Sequence, residues 1–275
     1  MRKRPSSLAA VRCVLRSNDV EQLIAELVAE QDYLDGAICD VPIDHWNASS
    51  PAEGWLMRDC IAHLAEGDTT AATIAETGAY PKSERRGGDG VVTARQIEAR
   101  ELSIEELLSW WRESRNRLAT ALRPFDGRDR LPWAGNEMSV RSFTTARLME
   151  AWSHGLDALE TAGVSPIDTD RLRNIAHLGY ATRDFTYRNH GRNPDPEPLY
   201  VELISPSGAI WTWGTNKTAH RITGSAGDFC RVVTQRINYR DTALVYSSST
   251  AEEFLKIAQA FAGPPGAGRA PKTNS

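Results

Sequence analysis

The segment SVRSFTTARLMEAWSHGLDALETAG, residues 139–163, reads as one helix from end to end. Ser139 is a good N-cap, because its hydroxyl can accept from an unpaired N–H of the first turn, and Gly163 supplies the left-handed stop. Within the helix Glu150 and His154 are four residues apart, so their side chains leave the same face about one turn from each other. A carboxylate oxygen and an imidazole nitrogen at that spacing suit zinc and similar first-row divalent ions. A third ligand from another helix would leave one or more coordination positions open. By itself E-x3-H on a helix is a weak signal, since surface pairs of this kind are common.

Working outward, residues 17–40 place Val20, Leu23, Ile24, Leu27, Val28 and Leu34 on one stripe at helical spacing behind an Asn/Asp cap signal. DHWNASSPAEGW (44–55) breaks that pattern, and LMRDCIAHLAEGDTTAATIAE (56–76) resumes it as a second helix with His63 near its middle. His63 stands among Ile61, Ala62, Leu64 and Ala65, a setting that also fits a hydrogen-bonded core histidine. Residues 93–125 form a third helix, broken near Leu102–Ser103, and a loop with Pro132 and Gly135 leads into the segment quoted first. Four helices joined by loops read as an up-and-down bundle.

Downstream, DTDRLRNIAHLGYATRDFTYRNHG (168–191) is a fifth helical stretch, ended by the Pro-rich RNPDPEPL that cannot continue it. The pattern then changes. LYVELISP and AIWTWG alternate about Ser207–Gly208, a hairpin signal, and HRITG (220–224) can add a third strand. GDFCRVVTQR (227–236) reads as a helix, ALVYS (243–247) as a strand and AEEFLKIAQAFA (251–262) as a last helix. The expected fold class is therefore α+β. Its parts are a disordered leader (1–17), a metal-binding helical bundle (18–165), a connecting helix and linker (166–195), a small α/β domain (196–263) and a disordered Pro/Gly-rich tail (264–275).

Composition narrows the function classes. A chain of 275 residues, 41% hydrophobic and 25% charged, has ordinary globular content, and no run of about 18 apolar residues crosses a membrane. A net charge of −4 gives no general pull toward a phosphate backbone, which argues against nucleic acid. Arg12 and Arg16 interrupt any export-type apolar run in the leader. Four cysteines without CxxC spacing suit a reducing cytoplasm, the expected location. Neither a phosphate-cradling loop nor a dinucleotide fingerprint occurs; GGDG at 87–90 is only a loop.

SPAEGWLMRDCIAHLAEGD together with TTARLMEAWSHGLDALE resembles the two metal motifs of the DinB-like superfamily, in its branch that includes mycothiol-dependent maleylpyruvate isomerase. Trp55, Asp59 and His63 match its W-x3-D-x3-H pattern, and Glu150 and His154 its E-x3-H pattern. The resemblance implies a four-helix bundle that holds a divalent metal, usually zinc, through His63, Glu150 and His154, followed by a small C-terminal α/β domain. It also implies mycothiol as cosubstrate. GSAGDFCRVVTQR is similar to a segment that places Arg236 at the substrate-carboxylate position, although an arginine ending a helix can equally serve only the helix dipole. Asp157, three beyond His154, can orient that histidine or be a surface carboxylate.

The implied activity is metal-assisted activation of a thiol, for isomerisation of, or conjugation to, an unsaturated or electrophilic carboxylate; the partner is a small molecule. Two other classes fit the same three ligands: a thiol-independent hydrolase or lyase using metal-bound water, and a non-catalytic metal-stabilised binding module. The loop PKSERRGGDG, expected at the pocket mouth, carries no carboxylate-specific pattern, so the substrate and the oligomeric state stay open. Cys60, one turn before His63, reads as a small core residue or as an extra ligand or reactive thiol. His45, His177, His190 and His220 pair with nothing at ligand spacing. Trp110, Trp111, Trp211 and Trp213 read as packing residues.

Overall fold

The computed structural model describes residues 7–81, 92–133 and 136–272. They divide into two units, Met1–Val164 and Ser165–Ser275. The first helix, α1 (Ser7–Ile38), begins well before the expected cap, so residues 7–17, expected to be disordered, are helical backbone; residues 1–6 of that leader lie outside the described residues. Its apolar stripe, Val20, Leu23, Ile24, Leu27 and Leu34, is buried as the spacing requires. A single turn, α2 (Ile43–Trp46), follows. It carries too little periodicity to be read from sequence.

Helix α3 (Met57–Thr77) owes its start to Asp59. This carboxylate accepts from Leu56 N at 2.8 Å, satisfying one of the N–H groups that a helix start leaves unpaired, and it accepts a two-pronged bond from the Arg100 guanidinium. Gln96 Nε2 adds a bond to the Asp59 carbonyl. These bonds hold α4 (Ala94–Ala99) against α3, and the expected break falls before α5 (Ile104–Leu122), capped by Ser103. The expected loop containing Pro132 is instead a two-stranded antiparallel ladder, β1 (Arg130–Trp133) on β2 (Asn136–Ser139), which runs directly into α6 (Val140–Ala162). Ser139 caps α6 by accepting from Ser142 N, and Gly163 stops it with φ 71°.

Helix α3 packs on α5 and α6, and α1 packs on α6 and α5. Two apolar clusters fill this unit. One is built on Trp46, Trp55, Ile61 and Trp111, and the other on Ile24, Ile74, Leu118 and Phe143. Between the stretches of α1 and α3 that supply them the chain turns polar, at Gln31 and Asp68, both buried. That interruption positions the site described below.

The second unit begins with the stretch expected to be a connecting helix and linker. It forms α7 (Leu172–Ala181) and α8 (Arg183–Asn189), and α7 packs on α9 (Ala226–Val233), so this stretch belongs to the unit's own core. Strands β3 (Tyr200–Ile204), β4 (Ile210–Trp213), β5 (Arg221–Ser225) and β6 (Val245–Tyr246) form one sheet in the order β4-β3-β5-β6. The hairpin turns at Gly208, with φ 88°, and β3 pairs with β5 in parallel. Helix α9 ends at Val233, three residues before Arg236, and α10 (Ser249–Ile257) is shorter than expected. The tail expected to be disordered is hydrogen-bonded through residue 272: Asn238 Nδ2 donates to Arg269 O, and Lys272 N donates to Asp241 Oδ2. No helix among the described residues is long and apolar enough to cross a membrane.

Replacing Asp59 by Ala removes the cap of α3 and the partner of Arg100 together. A destabilisation of about 2–3 kcal/mol is expected in urea denaturation, discounted because Arg100 is a third exposed. A loss below ~0.5 kcal/mol would show that the pair does not hold α4 to α3.

Candidate metal centre

Helix α3 presents His63 from the middle of its buried face, and α6 presents Glu150 and His154 one turn apart. Their packing brings the three side chains together. His63 Nε2 lies 3.3 Å from Glu150 Oε2, and His154 Nε2 lies 3.4 Å from the same oxygen. One donor atom from each of the three falls within 4.8 Å of the other two. Ligand bonds of about 2.1 Å meeting at tetrahedral angles put two donor atoms about 3.4 Å apart, the spacing found here between Glu150 Oε2 and each imidazole nitrogen.

The hydrogen-bond pattern points the same way. His154 Nδ1 faces Asp157 Oδ2 at 3.3 Å, and a carboxylate there is served by an Nδ1–H donor. In that tautomer the neutral ring turns the lone pair of Nε2 toward Glu150 Oε2, so two acceptors confront each other unless a proton or a metal cation lies between them. A cation between them relieves the conflict, and the donor set therefore fits a divalent ion. Asp157, which the sequence left divided between two roles, is buried and supports His154.

The charge states agree with ligation. Burial pushes the Glu150 carboxyl upward, but hydrogen bonds and charge from His154 and His63 outweigh it and hold the group well below its ordinary value. Burial, then the neighbouring His154, lowers the pKa of His63, which favours the neutral imidazole that a metal needs. Cys60 is fully buried, and burial raises its thiol pKa, as expected of a core cysteine. It also forms a second compact group with His154 and Asp157. All three members of that group are buried, whereas His63 and Glu150 remain partly exposed, so the first group is the one with access.

Four neighbours, Trp55, Arg147, Asp68 and Gln31, escaped sequence reading or were read only as part of a pattern. Trp55, 1% exposed, stacks on the His154 ring at 5.0 Å and 16° and meets the His63 ring at 5.1 Å and 52°. Arg147 lies on the same stripe of α6 as Glu150 and His154, three and seven residues earlier, and donates through Nε to buried Asp68 at 3.0 Å. Gln31 Nε2 donates to the other Asp68 oxygen at 2.8 Å. The guanidinium passes so close over α3 that a Cβ on Gly67 would lie 2.7 Å from Arg147 Nη1. The one available signal was the shared periodicity of positions 147, 150 and 154.

Arg236 belongs to the second unit. The chain turns at Gln235, with φ 60°, after which Arg236 N donates to Arg231 O and its Nη1 to Thr234 O, each at 2.8 Å. It is buried and follows a turn, in place of the expected helix end. Three of the other histidines have partners away from this site: His45 donates to Thr161 O, Trp213 Nε1 donates to His177, and His220 Nδ1 meets Ser248 Oγ at 2.9 Å, while His190 Nε2 is buried without a hydrogen-bond partner. The loop expected at the pocket mouth falls on residues 81–90, and 82–90 lie outside the described residues.

Residues 27–159 match the model of the mycothiol maleylpyruvate isomerase N-terminal domain. An uncharacterized protein of Mycobacterium tuberculosis, in strains CDC 1551 and H37Rv, is 41% identical over 255 residues, covering 91% of this chain and 99% of the relative. Over residues 27–159 the chain belongs to the mycothiol maleylpyruvate isomerase N-terminal domain family. Among solved structures, the mycothiol-dependent maleylpyruvate isomerase is similar with a TM-score of 0.57 at 17% identity, over 83% of this chain and 92% of that one. A histidine-to-alanine mutant of that enzyme gives 0.55 at 17% identity, over 79% and 89%. The likeness is one of fold, a helical N-terminal region followed by a small sheet.

The charge states fix how the metal-free protein responds to acid. The folded pKa of His63 lies below its ordinary 6.5, so the unfolded chain takes up a proton first as pH falls, and stability declines below pH 6.5. Glu150 adds to this lower down, since its stabilisation is present above the ordinary 4.5 and lost as pH falls through its lower folded value. Urea midpoints of metal-free protein should drop below pH 6.5, and His63→Gln should flatten the drop. An unchanged slope in the variant would contradict a His63 held neutral in the folded protein.

Proposed function

We propose that the chain is a divalent-metal-dependent enzyme that activates a small-molecule thiol, mycothiol, for isomerisation of, or conjugation to, an unsaturated or electrophilic carboxylate. The observation that carries this reading is the convergence of His63 Nε2, Glu150 Oε2 and His154 Nε2 at the spacing of ligands on one ion, in a member of this family. The structural relative, a mycothiol-dependent maleylpyruvate isomerase, supports the choice of thiol and reaction class. We take the helical unit to be the DinB-like four-helix bundle. Zinc is the proposed ion, because two imidazoles and one carboxylate form a common catalytic zinc set that keeps a position open.

When bound, the ion supplies a Lewis-acid position at which a thiol loses its proton near neutral pH. The chain's own residues supply the rest. His63, Glu150 and His154 hold the ion, Asp157 keeps His154 in the ligating tautomer, and Trp55 shields both imidazoles from water. For the substrate carboxylate we carry over Arg236 on its sequence resemblance alone, as a fixed positive charge. In isomerisation the thiolate adds to a conjugated double bond, the resulting single bond rotates, and elimination returns the trans isomer and the thiol. Conjugation ends at the addition, with a proton taken up at the neighbouring carbon.

Elemental analysis should find about one divalent ion per wild-type chain and almost none in His154→Ala. Calorimetry should then show mycothiol binding to the metal-loaded protein and none after chelation. Equal metal content in the two proteins would overturn the site. Metal-loaded protein that ignores mycothiol but turns over esters in thiol-free buffer would replace the thiol reading with a hydrolase.

A further inference from the structure

Trp55 is held in place by its backbone: its N donates to Ala52 O at 3.0 Å, and its carbonyl accepts from Ser50 N at 2.8 Å. The indole is thereby fixed against the rings of both His63 and His154. Its Nε1–H is buried and has no hydrogen-bond partner. A buried N–H without an acceptor costs about 1–3 kcal/mol, so its persistence beside the donor cluster calls for an acceptor that arrives with a ligand. An indole is a donor only. It therefore selects a lone pair, and best an anion, over a group that brings its own hydrogen.

We infer that Trp55 is a catalytic residue, whose Nε1–H donates to the anionic atom, a thiolate sulfur in the proposed reaction, that fills the open position beside His63, Glu150 and His154. The inference rests on the metal reading above and adds to it the element that distinguishes thiolate from neutral thiol. Trp55 would then do two separable things. Its ring packs the imidazoles, and its N–H lowers the pKa of the bound thiol. The two are separated by removing the N–H while keeping an aromatic ring.

The test uses full-length protein loaded with cobalt(II), wild type beside Trp55→Phe, and titrates each with 2-mercaptoethanol while following the thiolate-to-cobalt charge-transfer band. Trp55→Phe should retain the wild-type cobalt stoichiometry, bind the thiolate about tenfold more weakly, and develop the band at a pH about one unit higher. Site-specific replacement of Trp55 by its benzothiophene isostere, which keeps the bicyclic shape and lacks the N–H, should give the same shift if the smaller phenyl ring perturbs folding. An isostere that loads cobalt and binds thiolate as wild type does would overturn the donor role. So would an isostere that folds but loads no cobalt, which would give the N–H a part in building the metal site in place of one in holding the thiolate. Wild-type protein that takes up no cobalt would instead defeat the metal reading itself, and the inference with it.

Discussion

Everything in the site depends on the approach of one carboxylate oxygen, Glu150 Oε2, to imidazole nitrogens from two different helices. The approach is not favourable by itself. It buries a charge beside lone pairs, and the protein has to impose it through packing. Helix α6 supplies two of the donors at a fixed rise, so the only free variable is where α3 sets His63. That variable is closed by Asp59, one turn earlier, whose bonds to Leu56 N and Arg100 fix the start of α3. The W-x3-D-x3-H spacing thus has a mechanical reading. Trp55 covers the rings, Asp59 anchors the helix, and His63 reaches the site from the same face.

The layer beside the donors answers to the same constraint. Asp68, Arg147 and Gln31 form a buried polar group on the helices that carry His63 and Glu150 or pack against them. Burial raises the Asp68 pKa against the charge of Arg147, a sign of how little water reaches this layer. Such networks are costly to leave half satisfied, and here they restrict how α1, α3 and α6 can slide past one another. The glycine at 67 is part of that restriction, since any side chain would displace the guanidinium.

Much of this was legible from the residues. The stripe of α1, the cap and stop of α6, the break before α5 and the Gly208 hairpin all follow from local chemistry that tertiary packing had no reason to override. Pairing the E-x3-H of α6 with His63 required family resemblance, because spacing within a helix says nothing about its neighbour. The β1–β2 ladder was missed since Pro132 and Gly135 signal a loop, and the backbone at Pro132 still pairs in register with Glu137. The connecting stretch was read as one helix; its division into α7 and α8 at Thr182, and the packing of α7 on α9, are set by contacts distant in sequence. Asp157 was left between orienting His154 and lying on the surface, and Arg147 drew no reading of its own. Only burial reveals what they hold.

The central claim, that His63, Glu150 and His154 together hold the ion, is tested most directly by X-ray absorption on the zinc-loaded protein without added thiol. The account predicts two imidazoles and a carboxylate oxygen at about 2.0–2.2 Å, completed by a further light atom and no sulfur. A sulfur scatterer at about 2.3 Å would move the ion to the neighbouring group of Cys60, His154 and Asp157 and contradict the assignment.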